Sequence, residues 1–475
     1  MSEPEHPGRT GRVATLWRRA HVPVDPASLV AFRVAFGLLG VVSAFRFLDF
    51  GWDERLFAAP IFRFRYFGLD WVPVPASGTI TAIFVALMVL GGLVALGLFY
   101  RVAVAAFAAL FTYVQLIDVT TYLNHYVLVS LLALWMSVMP LAAHGSLDAW
   151  LRRRRALPEA PPLRAWMLWA LRLQIGVVYV NAALAKATPD WLLHGQPMGI
   201  WLAARTDTPL VGGLFGHHET ALVLGWAGFL YDLSIPLWLS WRRTRVPAYV
   251  LLLVFHGMTH VLFDIGMFPF IMSVAATIFF DPSWPRRVFR WREGMRRVTP
   301  RVPTPSRPRL LLAAALALFS LVQVLWPLRT HAYGGNVLWH EQGMRFSWRV
   351  MCREKNGSIR YRVRWAGSGR ERYVFPQRYL TDHQEREMAG QPDLVLQLAH
   401  HVAEDHVRRG HEDVEVRVDA WVSLNGRPMA RMIDPDVDLA QVDDGFSKAA
   451  WILPAPSGAP IRLRRPAGRV AEGER

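Results

Sequence analysis

Hydrophobic positions along the chain fall into long uninterrupted runs rather than into alternating or helically spaced faces. They lie at Leu29 to Leu48, Thr79 to Phe99, Val102 to Tyr122, Tyr126 to Ala143, Trp166 to Lys186, Ala221 to Ser240, Pro247 to Phe263, Gly266 to Phe280 and Leu310 to Leu328. A run of about 20 apolar residues is the length of a helix that crosses a bilayer. The pattern therefore predicts a polytopic α-helical membrane protein with about nine spans, the eighth shorter than the rest. Asp25-Pro26 before the first run supplies an N-cap residue and a proline at the first helical position.

Beyond Arg329 the pattern changes. Ser358 to Trp365 alternates polar and apolar residues, and strands are expected there and at Arg372 to Phe375, Val414 to Leu424 and Met429 to Ile433. Asn425-Gly426 between the last two is a hairpin turn signal. Asp393 to Arg409 has helical spacing of Leu394, Leu398, Val402 and Val407. The expected organisation is an N-terminal segment 1–28, a transmembrane helical domain 29–328, a strand-rich extramembrane α+β domain 329–454 and a tail 455–475.

Composition changes the picture in two places. A net charge of +16 suggests nucleic acid until the arginines are located, mostly in short links between apolar runs. There they read as topology determinants, and no nucleic-acid partner is expected. Putting the N-terminus inside places Arg101, the Arg152 cluster, the Arg242 cluster and the Arg286 to Arg309 link inside as well. An odd number of spans then sends the C-terminal domain, Asn124-His125 and Lys186 to the outer face. The single cysteine, Cys352, excludes an internal disulfide. No cleavable signal peptide, phosphate loop, internal repeat or paired-cysteine metal motif is visible, and no metal site is expected.

Only three lysines occur, Lys186, Lys355 and Lys448, so Lys186 is the lone lysine of the hydrophobic part. Arginine stays protonated in any setting, whereas a desolvated lysine can lose its proton and act as a base. Lys186, at the apolar exit of a span, is the leading candidate for chemistry and is expected to be neutral; the plainer reading is an interfacial anchor. His125 at a span end is either a catalytic or quinone-binding imidazole or a cap. His256 and His260 share a helix face, but a third metal ligand is absent nearby. Asp232 within a span needs a partner or water, and Arg345 to Met351 is a lid or an interfacial belt.

The residues Asp25-Pro26-Ala27-Ser28-Leu29 with Phe32-Arg33, Asn124-His125, Val178-Tyr179 to Lys186 and Asp190-Trp191 occur in that order. Phe255-His256 to Met258, Ile265-Gly266-Met267-Phe268, Pro282-Ser283-Trp284-Pro285-Arg286, Phe346-Ser347-Trp348, Asp419 to Asn425 and Asp434-Pro435 follow. Collinear over Leu16 to Asp438, they resemble the vitamin K-dependent gamma-glutamyl carboxylases. The resemblance implies that an amine at Lys186 deprotonates vitamin K hydroquinone, whose oxidation by O₂ toward the epoxide provides the base that takes the glutamate γ-proton. The carbanion then attacks CO₂. It implies a role for His125 in the cofactor and carboxylation steps, and a glutamate-containing peptide, quinone and membrane lipid as partners. The quinone ring is expected between His125 and Lys186, walled by Asn124, Tyr179, Met267, Trp348 and Met351. His256, His260, Ser347 and Trp191 are candidate contacts for the peptide.

The chain departs from the family's animal members in lacking their long C-terminal extension and their disulfide, and in having Ala185 where the family has a second lysine. Its arginine-rich usage points to a bacterial GC-rich genome, hence a bacterial inner membrane with the N-terminus cytoplasmic. Competing readings are an epoxidase that has lost carboxylation, a transporter and a non-enzymatic scaffold. Inverted repeats, which a transporter would carry, are not seen.

Overall fold

A computed structural model of the chain describes residues 10–158, 160–263, 265–290, 303–365 and 369–461. The first nine residues, much of the Arg286 to Arg309 link and the tail beyond Ile461 lie outside the described residues. Each of the nine apolar runs forms a helix: α1 Ala27–Asp49, α2 Ser77–Leu96, α3 Tyr100–Ile117, α4 Asn124–Val138, α5 Ala165–Lys186, α6 His218–Ser240, α7 Arg245–Leu262, α8 Phe268–Ala276 and α9 Arg307–Leu325. Seven are long and apolar enough to cross a membrane, and the protein is a polytopic membrane protein. The other two are shorter: α8 is short as expected, and α4 is shorter than its apolar run. α4 has 15 residues and ends before Pro140, although the apolar run continues to Ala143, and α8 runs on only through a 3₁₀ turn to Phe279.

α1 and α2 pack backbone against backbone. A Cβ on Gly37 would meet the Gly91 carbonyl and the Ala95 nitrogen at 2.5 Å, so these small residues set the approach, as is usual between membrane helices. α2, α3 and α4 follow as neighbours, and α5 packs along α6. α9 has no buried residue and lies on the outside of the bundle, touching it through residues such as Phe319 against Trp135. At the other end of α1, Asp25 accepts from the Ala27 nitrogen at 2.9 Å and pairs with Arg286 at 2.8 Å. The cap is thus one residue removed from the expected position, with Pro26 as the boundary residue.

The C-terminal region forms a four-stranded antiparallel sheet, β1 Lys355–Trp365, β2 Glu371–Val374, β3 Val414–Leu424 and β4 Ala430–Arg431, in the order β2-β1-β3-β4. One face is covered by α11, Pro392–Arg408, which follows the short helix α10, Asp382–Met388, and buries Leu394, Leu398 and Val402. Asn425 and Gly426 have φ of 51° and 81°, the left-handed pair that a two-residue hairpin requires.

Lys355 is sealed inside this region, donating to Glu341 at 3.0 Å, the Trp339 carbonyl at 2.8 Å and the Gly390 carbonyl. Burial pulls its ammonium down to about 8 against the opposing pull of Glu341. Between pH 8 and 10.5 the unfolded chain therefore holds a proton that the folded chain has released. Stability rises with pH through that window, by up to about 3 kcal/mol, and the gain is lost as pH falls through 8. Unfolding of wild type and Lys355→Met followed from pH 7 to 10.5 should show wild type gaining relative to the variant; a pH-independent gap would refute the assignment. Glu341 keeps Arg353 at 3.1 Å in the variant, so no carboxylate is stranded.

Candidate functional site

α5 ends at Lys186 because Thr188-Pro189 follows: the residue before a proline is driven out of helical geometry. The Thr188 hydroxyl accepts from the Trp191 nitrogen at 3.4 Å and starts a short helix, Pro189–Leu192. This sharp turn brings Trp191 back over the helix end, its ring 5.4 Å from Lys186 Nζ and its indole N–H on the Gly225 carbonyl at 2.7 Å. Lys186 is buried. Its Nζ donates to Asp232 Oδ2 at 2.8 Å and to the Ala182 carbonyl at 3.3 Å. Desolvation of a lone lysine was the argument for a neutral amine, and the buried carboxylate of α6 removes its premise. Amine and carboxylate form one buried, hydrogen-bonded unit.

Lys186 and Asp232 line a cavity of about 630 Å³ between α5, α6 and α7, together with Tyr179, Trp191 and His256. Tyr179 Oη lies 2.9 Å from His256 Nε2, and His256 Nδ1 is buried with no hydrogen-bond partner among the described residues. The cavity's outer wall includes Trp238 and Val254, 48% and 61% exposed on the lipid-facing surface, so the chamber borders the bilayer laterally.

His125 lines a second cavity, of about 540 Å³, with Asn124, Met267, Arg46, Tyr122, His383 and Glu387. It sits in the first turn of α4, its ring 4.5 Å from that of Tyr126 and 5.9 Å from that of Phe268. Asn124 is fixed by the Tyr122 hydroxyl, which donates to it at 3.0 Å, and by its own N–H to the Arg349 carbonyl at 3.4 Å. Four residues line both cavities: Ile265, Phe268, Val350 and Met351. The Phe268 ring stands 5.9 Å from His125 and 5.7 Å from His256. His125 and Lys186 therefore occupy neighbouring chambers that share a thin apolar wall, rather than opposite sides of one pocket.

Of the expected wall residues, Asn124 and Met267 belong to the His125 chamber, Tyr179 to the Lys186 chamber and Met351 to both. Trp348 is a correction. It is buried in the membrane-side core and lines neither cavity. The cause is backbone geometry: Phe346, Trp348 and Met351 all have left-handed φ, 59°, 58° and 50°, so the segment folds in successive tight turns and presents Val350 and Met351 instead. Of the peptide candidates, Trp191 and His256 line the Lys186 chamber. Ser347 is buried with its hydroxyl on the Met344 carbonyl, and His260 is exposed against the Phe270 ring at 5.1 Å; neither lines either chamber. Among the described residues there is no cluster of three or more His, Cys, Asp or Glu that could hold a metal.

The C-terminal region covers both chambers. Asp190 takes a two-pronged ion pair from Arg427, at 2.5 and 2.7 Å, and a bond from Asn425 at 2.9 Å. Trp201 donates to Glu354 at 2.8 Å, the Phe346 nitrogen to the Tyr122 hydroxyl at 2.7 Å, and Gln384 to Asp118 at 2.8 Å. Burial pushes the Asp118 carboxyl up, opposed by bonds from Thr120 and Gln384. Of the other residues that build the site, Asp232 stood out in the sequence as a carboxylate inside a span, but its partner, 46 positions away, did not. Arg46, His383 and Glu387 gave no signal distinguishing them from ordinary surface charges.

Two family profiles match the chain. The HTTM domain covers residues 21–284, and the lumenal domain of vitamin K-dependent gamma-carboxylase covers residues 308–458. No solved structure matches it significantly. With an HTTM domain and a gamma-carboxylase lumenal domain in succession along one polypeptide, the chain belongs to the vitamin K-dependent gamma-glutamyl carboxylase family.

Proposed function

We propose that the protein is a membrane carboxylase that converts peptide glutamate to gamma-carboxyglutamate, coupled to O₂-dependent oxidation of vitamin K hydroquinone to its epoxide. The observation that carries this reading is the buried Lys186–Asp232 pair on the wall of an apolar chamber, one residue layer from the chamber of His125. The family implies vitamin K, and the Lys186 chamber fits such a group. Its volume lies in the range of small-molecule sites, its walls are almost wholly apolar, it borders the lipid surface at Trp238 and Val254, and His256, whose buried Nδ1 has no hydrogen-bond partner among the described residues, is one of its wall residues.

When bound, the hydroquinone supplies through its oxidation a base stronger than any side chain. The residues do the rest. The Lys186–Asp232 unit accepts a phenolic proton in a site from which apolar walls exclude water. Tyr179 and His256 offer a hydroxyl and an imidazole to orient the ring. His125 and Asn124 line the neighbouring chamber, which a glutamate side chain enters beneath the C-terminal region past His383 and Glu387, and Phe268 and Met351 form the shared wall across which the γ-carbon and the oxidised ring must come into contact for the proton to be taken. The proposed organisation is a transmembrane domain 29–328 and a C-terminal domain 329–454 on the outer side of a bacterial inner membrane. The basic turns and the odd number of apolar helices support that orientation.

Purified protein incubated with reduced vitamin K, O₂, labelled bicarbonate and a glutamate peptide should yield both epoxide and incorporated label. Epoxide without label would favour a quinone epoxidase, and neither product would end the proposal.

A further inference from the structure

We propose that Arg46 is the carboxylate anchor of the His125 chamber, the residue through which this site selects a glutamate over a glutamine side chain. The inference rests on the carboxylase reading but assigns a residue which that reading leaves idle.

Arg46 lies three residues before the end of α1 and lines the same cavity as His125 and Asn124. Its guanidinium is held against two aromatic rings, 5.5 Å from the centre of Phe50 and 5.6 Å from that of Trp52. Neither contact consumes a directed hydrogen bond, so the N–H donors keep their capacity for an anion. Among the described residues that edge makes no ion pair or hydrogen bond. Four other arginines show the contrast: Arg63 donates to the Phe57 carbonyl at 2.5 Å, Arg65 to the Ile117 carbonyl at 3.3 Å, Arg329 to the Trp326 carbonyl at 2.9 Å, and Arg345 pairs with Asp393 at 2.5 Å. A half-buried guanidinium that makes no ion pair or hydrogen bond among the described residues, in a mainly apolar chamber, is completed by a ligand carboxylate, which accepts the fork with two charge-assisted bonds.

The chamber's own carboxylate, Glu387, does not serve as that partner. It forms no ion pair with Arg46, and its side chain is approached instead by Gln391 Nε2 at 3.4 Å. A lipid phosphate would offer the same anionic chemistry. The placement favours the peptide side chain, because Arg46 shares its cavity with His125 and with His383 of the C-terminal region. A neutral amide in the same position would lose the charge and leave the guanidinium unpaired, the situation in which polar sites discriminate most strongly.

The test is binding of two fluorescent peptides, identical except for one glutamate or glutamine, to the full-length protein in lipid nanodiscs. Wild type should bind the glutamate peptide at least about tenfold more tightly. Arg46→Gln should bind the two alike, and Arg46→Lys, which keeps the charge but not the planar fork, should retain a smaller preference. An Arg46→Gln protein that melts like wild type and still prefers glutamate overturns the assignment. So does a variant whose only change is weaker response to anionic lipid in the nanodisc, which would make Arg46 a headgroup anchor. Should Arg46→Gln fail to fold, Arg46→Lys decides: a preference equal to that of wild type rejects the anchor. Wild type that carboxylates peptide while Arg46→Gln keeps its preference separates failure of this inference from failure of the carboxylase reading, which the epoxide and label assay scores by itself.

Discussion

Lys186→Arg should lower epoxidation of reduced vitamin K by more than about 100-fold, as severely as Lys186→Ala, which is the usual scale for removing a general base. The structure makes the arginine variant the sharper of the two. Asp232 lies 2.8 Å from the amine, and a guanidinium can pair with that carboxylate at least as well, so the buried charge stays compensated. What arginine cannot do is release and regain a proton near neutral pH. Expression and thermal unfolding close to wild type, alongside lost epoxidation, are the expected combination. Asp232→Asn, which keeps an acceptor in place, tells whether the carboxylate takes part. Activity within about tenfold of wild type assigns the proton to the amine, and a loss like that of Lys186→Arg makes the pair the acting base. Near-full activity of Lys186→Arg would reduce Lys186 to an anchor and remove the first step of the proposed chemistry.

The parts of this architecture that were legible in the sequence are those written in local periodicity. β3 runs from Val414 to Leu424, as its strict alternation required, and Asn425-Gly426 makes the expected turn because few other residue pairs tolerate two left-handed conformations. The helices were readable as apolar runs. Their ends were not always so, since Pro140 stops α4 while the hydrophobic run continues. The site was legible one residue at a time and illegible as an arrangement. Lys186 stood out by residue type and His125 by position. Nothing local specifies that α6 rotates Asp232 toward α5, or that Phe268 stands between His125 and His256. The misplacement of Trp348 has the same origin: three left-handed residues without a glycine among them leave no mark that a propensity argument can use. The chambers were invisible for a related reason, because each is walled by residues from several helices and from Val350 and Met351, far apart in the chain.

Arg427→Ala should destabilise the fold by about 3 to 5 kcal/mol, the effect of stranding one member of a buried ion pair. Asp190 is 6% exposed, and after the substitution it would keep only the Asn425 amide at 2.9 Å. The consequence reaches the chemistry through one covalent step. Trp191 follows Asp190 directly and forms the wall 5.4 Å from Lys186 Nζ. Loosening the Asp190 contact therefore opens the Lys186 chamber to water from the side of the C-terminal region, and epoxidation should fall together with stability. Removing both charges, in Asp190→Asn with Arg427→Met, leaves nothing buried and unpaired and should recover most of the lost stability. Chemical unfolding in detergent of the two single variants and the double supplies the comparison. An Arg427→Ala protein within about 0.5 kcal/mol of wild type, the range of an ordinary surface substitution, would mean that this ion pair does not hold the C-terminal region in place, and that the cover over Lys186 depends on the Trp201–Glu354 and Tyr122–Phe346 contacts instead.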